Sequence, residues 1–441
     1  MFLGLDFGTT NSALARADDD GAVQLARFTA AASRSMPAET LETFRSVLWF
    51  DPDEKGPDRR PLVSTGLAAI RDYIDAAGAG RFVQSVKSHL ASKTFTSTMI
   101  FNAKYTLEDL VALVAGGVGA AGAQNFGPLP RRIVAGRPVH FVRDDQNDGA
   151  ADPDKLDADA LAEERLRKAL ALAGFDDVVF ELEPVAAATR WEQRSTRDEL
   201  VLIADFGGGT TDLCLVEVGP GARKKAARAG ARQVVGTGGL GVAGDTLDRR
   251  IIQHAVAPRL GWGSKYRVFG GSADVPLWIF SQLSRWHALS FLKSRKTLTL
   301  LDEILASADD APAIRSLRQL IDDDLSYLLH RAVERAKVDL SKRTHTVLSF
   351  PEIGIEEPIS RARFESWIKD DIARIDDAVD AVLERAGRPK VDRVFMTGGT
   401  SLVPAVRRTF AQRFGRDALE GGEELVSVAQ GLALRARELF R

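Results

Sequence analysis

The chain has 441 residues, 45% of them hydrophobic and 27% charged, with a formal net charge of −2. This is the composition of an ordinary globular protein, long enough for two to four domains. The near-neutral balance gives no global field for nucleic acid or an anionic membrane, so neither is expected as a partner; a single cysteine, Cys214, excludes an internal disulfide and fits a reducing cytoplasm.

No basic segment precedes the apolar run at residues 2–5, so no signal peptide is expected. That run leads into Asp6-Phe7-Gly8-Thr9-Thr10-Asn11-Ser12 and a second apolar segment ending at Leu14 and Ala15. The pattern predicts strand, tight glycine turn, strand. Residues 31–110 change character, with Ser, Pro and Arg near 32–37 and an acidic loop at 51–61, and read as an inserted subdomain. Within it Lys87 follows a short alternating run and by itself reads as a surface lysine. The Ala- and Gly-rich stretch 110–123 is too short to span a bilayer and is expected inside a packed helix that starts near Leu107. A strand follows at 132–139, ending in Gly136 and Pro138, then a polar acidic loop at 149–157. A helix is expected at 161–173, stopped by Gly174, and a strand at 178–181. Glu183 stands at the entrance of a helix with Pro184 in its first turn.

The opening pattern then returns. An apolar run at 200–204 leads into Asp205-Phe206-Gly207-Gly208-Gly209-Thr210-Thr211 and Asp212, followed by an apolar run at 213–216 in which Cys214 is expected to be a buried strand residue. The basic stretch 222–231 reads as a loop. The glycine-rich stretch 236–244 leads through Asp245 into a helix. Residues 255–330 read as a second inserted subdomain. Its Trp262, Trp278, Trp286 and Phe291 are expected in a core, with a partner-binding surface as the alternative. A helix at 325–340 holds Glu334 and Lys337, and a strand pair follows at 346–350 and 353–355. Phe364, Trp367, Ile368, Ile372, Ile375, Val379, Val382 and Leu383 share one face at helical spacing and predict one long helix, capped by Gly387. A strand at 394–397, the turn Gly398-Gly399-Thr400, a helix with Pro404 near its start and a last helix to Arg441 complete the chain. The histidines at 89, 140, 254, 287, 330 and 345 show no zinc-like spacing and are expected to be structural or on the surface.

A single glycine-rich hairpin is no more than a β-turn. Its repetition, once per half, points to a duplicated α/β scaffold with one phosphate loop from each half. Glycines let bare N–H groups approach a polyphosphate, Thr side chains add hydroxyl donors, and Asp6 and Asp205 at the strand ends can hold the hydration shell of Mg²⁺.

The run LGLDFGTTNS at 3–12, EPVAAA at 183–188, DFGGGTTD at 205–212, ERAK at 334–337, ISRARFE at 359–365 and TGGTSLVP at 397–404 together resemble the ATPase domain of the heat shock protein 70 (DnaK-type) family, within the actin-like ATPase fold. The short bacterial YegD-like branch is the most similar. The resemblance covers nearly the whole chain, with less support in 31–110 and 255–330. It implies two duplicated α/β lobes, at 1–190 (insertion about 31–110) and 191–441 (insertion about 249–335), with Mg²⁺-ATP or ADP in the cleft between the lobes. Carried over residue by residue, it implies that Asp6 and Asp205 hold Mg²⁺ through water. Gly8, Thr9, Thr10, Asn11, Gly207, Gly208, Gly209 and Thr210 form the phosphate loops, with Thr210 sensing the γ-phosphate. Lys87 and Glu183 are implied beside that phosphate and its water. Gly244 and Asp245 form a further nucleotide turn; Glu334, Lys337 and Ser341 touch the adenosine, and Gly398, Gly399 and Thr400 lie under the nucleoside. Pro138 resembles the proline of an interdomain switch.

The chain departs from the family pattern at Val338 and Leu402, where arginines usually stack on the base, and at Leu425, where an acidic residue is usual. Aliphatic packing in place of cation–π stacking implies weaker nucleotide binding or looser base selectivity. The chain ends after the ATPase region, so an ATPase domain without the peptide-binding domain is expected. The resulting expectation is a slow cytoplasmic ATPase of chaperone type, cycling between ATP and ADP states and acting on an unidentified protein client or partner. Nothing in the sequence specifies an oligomeric state. The alternatives are a nucleotide-switched binding module with negligible turnover and a small-molecule kinase of the same fold, for which no substrate pocket is readable. A P-loop enzyme is excluded by the absence of G-x-x-x-x-G-K-[ST], and a protein kinase by the absence of H-R-D.

Overall fold

The computed structural model describes residues 1–33, 37–56, 58–76, 79–141, 154–229, 232–285, 292–323, 325–421 and 426–441. They form two compact units, one of residues 1–243 with 373–441, the other of residues 244–372.

The first unit holds two sheets of the same design. In one, the strands run in the order Asp177–Leu182, Arg132–Arg137, Phe2–Asp6, Asn11–Ala17, Val23–Leu25. In the other, the order is Leu419–Glu420, Arg393–Thr397, Glu199–Phe206, Thr211–Val218, Val234–Leu240. Each has parallel pairing on one side of its central strand and antiparallel pairing on the other. The duplication read from the two hairpins is therefore present in the whole sheet topology. The central strands are covered on both faces, which is why they read as continuous apolar runs rather than alternating ones. On one face of the first sheet, Leu3 and Leu5 join the helices Leu107–Phe126 and Asp154–Leu172 in a single core. The first of these helices starts in a reciprocal cap, with the Thr106 hydroxyl accepting from the Asp109 amide and the Asp109 carboxylate accepting from the Thr106 amide.

The other face carries small residues, Gly4, Ala13, Ala15 and Ala17, and so lets the helix Ser427–Phe440 approach through Ala429 and Ala433. A Cβ on Gly4 would lie 2.1 Å from the Ala433 amide nitrogen. The same helix crosses Glu183–Glu192, where a Cβ on Gly431 would lie 1.8 Å from the Ala186 carbonyl oxygen. Both helices share a core with the second sheet. Cys214 lies in that core, fully buried, and burial pushes its thiol up to about 12.

Several local expectations are corrected. Of residues 222–231, expected as a loop, 230–231 lie outside the described residues and 222–229 lie in the helix Pro220–Ala229. Its start is capped by Asp198, whose Oδ1 accepts from the amides of Gly221 at 2.7 Å and Ala222 at 3.3 Å, a partner too distant in sequence for a local reading. Within the glycine-rich stretch 236–244, residues 236–240 belong to the edge strand Val234–Leu240, for which no strand was expected, and Gly238 leaves room for Val382, whose Cγ2 a Cβ there would meet at 2.5 Å. The helix expected from Leu161 starts at Asp154. The single long helix is two, Arg361–Trp367 and Lys369–Arg385, broken at Ile368. Ile368 is itself fully buried, so the apolar spacing runs on through a backbone break.

The second unit contains the helix Gly244–Ile251, the hairpin of Lys265–Val268 and Gly271–Asp274, and the helices Leu277–Leu283, Arg295–Leu305, Ala311–Asp322 and Ser326–Lys342. A second hairpin, His345–Phe350 with Ile355–Ser360, leads into Arg361–Trp367. Trp262 and Trp278, expected in a core, are 37% and 43% exposed. In the short helix that carries Trp278, it is Ile279, Phe280 and Leu283 that turn inward. Trp286, Phe291 and Leu425 lie outside the described residues. Among the described residues no helix is long and apolar enough to cross a membrane.

Candidate functional site

In the first unit the two hairpins and two further segments bring charged side chains together. Asp6 ends the first strand, and its neighbour Gly8 makes a turn tight enough that a Cβ there would lie 1.9 Å from the Asn11 carbonyl oxygen. The Gly8 amide donates to Ser12 Oγ at 3.2 Å. Asn11 Oδ1 is buried with no hydrogen-bond partner among the described residues. In the second hairpin the Gly207 amide donates to the Thr210 carbonyl at 2.9 Å, which closes the turn. Gly398, at φ +81°, sits so close to the end of the strand Glu199–Phe206 that a Cβ would lie 1.9 Å from the Phe206 carbonyl oxygen. Gly399 and Thr400 continue from it as a single 3₁₀ turn.

Lys87 is not on the surface. It lies in the 3₁₀ turn Val86–His89, after Ser85 in the left-handed region, and its side chain is 9% exposed. Its Nζ donates to Glu183 Oε1 at 2.8 Å. Glu183 is brought there because the strand Asp177–Leu182 passes directly into the helix it opens, with Pro184 in the first turn. Burial alone would lower the Lys87 pKa, but the charges of Glu183 and Asp6 outweigh it and raise it. Asp6 is pushed up to about 7 by burial and by Glu183, with Lys87 opposing. Asp205 is raised well above the usual carboxylate range by burial, Glu183, Asp6 and Asp212.

Asp212 is a member of this cluster that the sequence reading did not assign. Burial and Glu183 push it up to about 7 against hydrogen bonds from Thr210 and from the Val139 amide, the latter at 2.7 Å. Its signal was present: the antiparallel register places Asp212 directly opposite Asp205. Pro138 immediately precedes the Val139 donor, and Arg137 beside it donates to Glu163 Oε2 at 3.1 Å.

In the second unit, Lys337 Nζ donates to Asp248 Oδ2 at 2.7 Å and to the Gly244 carbonyl at 3.3 Å. Asp245 and Glu334 add negative charge around the same ammonium, and together with Asp248 they hold its pKa up against burial. Ser341 sits one turn further along the helix and donates to the Lys337 carbonyl at 3.1 Å. Val338 and Leu402, each in its own unit, are both 44% exposed.

Two comparisons bear on this arrangement. A family model described as Hsp70 protein matches residues 318–439. Over 447 residues, 98% of this chain, the sequence is 24% identical to "Chaperone protein DnaK" of Thermosipho africanus and equally to that of Thermosipho melanesiensis. It is 23% identical over 446 residues to that of Thermotoga petrophila. The chain spans 58–59% of the length of these relatives.

The duplicated sheets and paired hairpins define an actin-like ATPase fold. Within that fold, the chain is similar to the Hsp70 family.

Proposed function

We propose that the chain binds Mg²⁺-ATP and hydrolyses it slowly, cycling between ATP and ADP states as a chaperone-type module that acts on a protein client or partner. The observation that carries this reading is the buried Lys87–Glu183 pair at 2.8 Å with Asp6, Asp205 and Asp212 around it. Four carboxyl groups share one ammonium there, and burial and mutual repulsion raise the pKa of the three aspartates, so a divalent cation would favour their ionised forms. The described residues include no group of three or more His, Cys, Asp or Glu able to hold a metal alone. A cation held through water and phosphate oxygens would have the coordination habit of Mg²⁺. Asp6 and Asp205 are the residues that would hold it, through water. When bound, Mg²⁺ neutralises phosphate charge.

Lys87 places its ammonium against the transferred phosphoryl group and orients water. Asp212, poised near neutrality, accepts a proton of that water as its oxygen bonds to the γ-phosphorus and the bond to the β-phosphate oxygen breaks, releasing ADP and phosphate. The turns at Gly8 to Asn11 and at Gly207 to Thr210 supply amide and hydroxyl donors to the phosphates. Gly398 to Thr400, and separately Gly244, Asp245, Glu334, Lys337 and Ser341, are proposed as nucleoside contacts. The YegD-like branch and a cytoplasmic location belong to the same reading; a free, buried Cys214 fits the latter.

The test is single-turnover phosphate release from Mg²⁺-ATP by the wild type beside Lys87→Ala. Slow release that is lost in the variant, with ATP still bound, is the expected result. Tight ATP binding with no release from either protein would replace hydrolysis with a nucleotide-switched binding role. No binding by the wild type would remove the nucleotide altogether.

A further inference from the structure

We infer that Asp248 is a positioning residue that fixes Lys337 for the nucleoside end of the nucleotide, an inference that rests on the nucleotide reading above. Asp248 lies on the helix Gly244–Ile251 and Lys337 on Ser326–Lys342, both within residues 244–372. Their side chains are 4% and 15% exposed, and the Nζ to Oδ2 distance is 2.7 Å. A lysine side chain is long and costly to order. Here its ammonium is already fixed by two protein acceptors, Asp248 Oδ2 and the Gly244 carbonyl. An ammonium has three N–H donors, so one is left for a ligand. Fixing the lysine before the ligand arrives removes an ordering cost from binding.

The pairing is reciprocal. The other Asp248 oxygen, Oδ1, is buried with no hydrogen-bond partner among the described residues, and the neighbouring Asp245 and Glu334 are acidic. Among the described residues the positive charge that bears on Asp248 is that of Lys337, so the carboxylate and the ammonium hold each other in one arrangement. Asp248 thus acts through Lys337 and need not touch the ligand.

The experiment compares Asp248→Asn, Lys337→Met and the double variant in the full chain, with Mg²⁺-ADP affinity by calorimetry and steady-state ATP hydrolysis as readouts. Each single variant is expected to raise the ADP Kd and the KM for ATP about tenfold, with kcat at saturating ATP within twofold of wild type. The double variant is expected to be no more than twofold worse than the worse single one. A purely structural role would lower kcat and melting temperature without that split. D248N binding ADP like wild type while K337M binds weakly would overturn the inference, as would fully additive losses. K337M binding like wild type would also overturn it while leaving the phosphate-end reading intact; failure of wild type to bind any nucleotide would sink both. If D248N does not fold, Asp248→Glu keeps the charge, displaces it by one methylene and reads the same split.

Discussion

The charge of Glu183 bears on Lys87, Asp6, Asp205 and Asp212 alike. Replacing Glu183 with Gln keeps the shape and an oxygen for Lys87 but removes the charge that helps hold the three aspartates protonated. Their pKa values then fall, because a like charge has been taken away. The expected outcome is that the rising limb of the pH–rate profile for phosphate release moves toward acid by about one unit. A limb that stays in place in Glu183→Gln would mean that the titrating group lies outside this cluster. Part of the cluster was legible before any coordinates. Asp6 and Asp205 follow from their strand-turn-strand patterns; Asp212, opposite Asp205 in the second hairpin, was not assigned from the sequence. The Lys87–Glu183 pair does not follow from such a pattern, since the two residues are 96 positions apart and Lys87 alone looks like any exposed lysine. Only the family resemblance singled it out.

At the scale of elements, the tightest constraint is the crossing of Ser427–Phe440 over Glu183–Glu192. Backbone meets backbone there, so Gly431 has no room for a methyl group. Gly431→Ala forces the two helices apart and is expected to destabilise by about 3 kcal/mol or more. Because the helix Glu183–Glu192 begins at Glu183, the same change should also impair phosphate release. Gly116 is the matched control. It lies inside the helix Leu107–Phe126 with nothing within 4 Å of an added Cβ, so Gly116→Ala should stabilise by about 0.5–1 kcal/mol. Urea midpoints of the two variants read the contrast, and a neutral Gly431→Ala would contradict this packing. Elements were legible where the signal is local. Pro184, Pro404 and the glycine turns all mark real boundaries. They were missed where the deciding partner is remote. Asp198 caps a helix 23 positions away, Val382 accommodates an edge strand of glycines, and Ile368 keeps its burial across a helix break.

For the molecule as a whole, buried carboxylates determine how stability responds to pH. Asp6, Asp212 and Asp248 are each pushed up to about 7 by burial, and Asp205 shifts in the same direction. In the unfolded chain these groups ionise near the usual 3.8. The folded protein therefore holds more protons between those values, and stability present at low pH is lost as pH rises through about 7. His330 works the other way, since burial lowers it to about 4 and unfolding lets it take a proton below 6.5. Its effect is mostly spent above pH 6.5. From pH 6.5 to 8, each aspartate at about 7 gives up stability on the order of 1 kcal/mol and His330 returns a smaller amount, so the net change for the nucleotide-free protein is a loss of about 2 kcal/mol. Urea unfolding at the two pH values measures it, with a lower midpoint expected at pH 8. Asp212→Asn should make the slope shallower, because Asn Oδ1 still accepts from the Val139 amide and nothing titrates. Mg²⁺-ATP should flatten the slope further, since a cation favours ionised Asp6 and Asp205 and so draws their pKa values down. A nucleotide-free protein whose stability is level or rising across this window would show that its carboxylates are not buried together, and the proposed cation site would lose its physical basis.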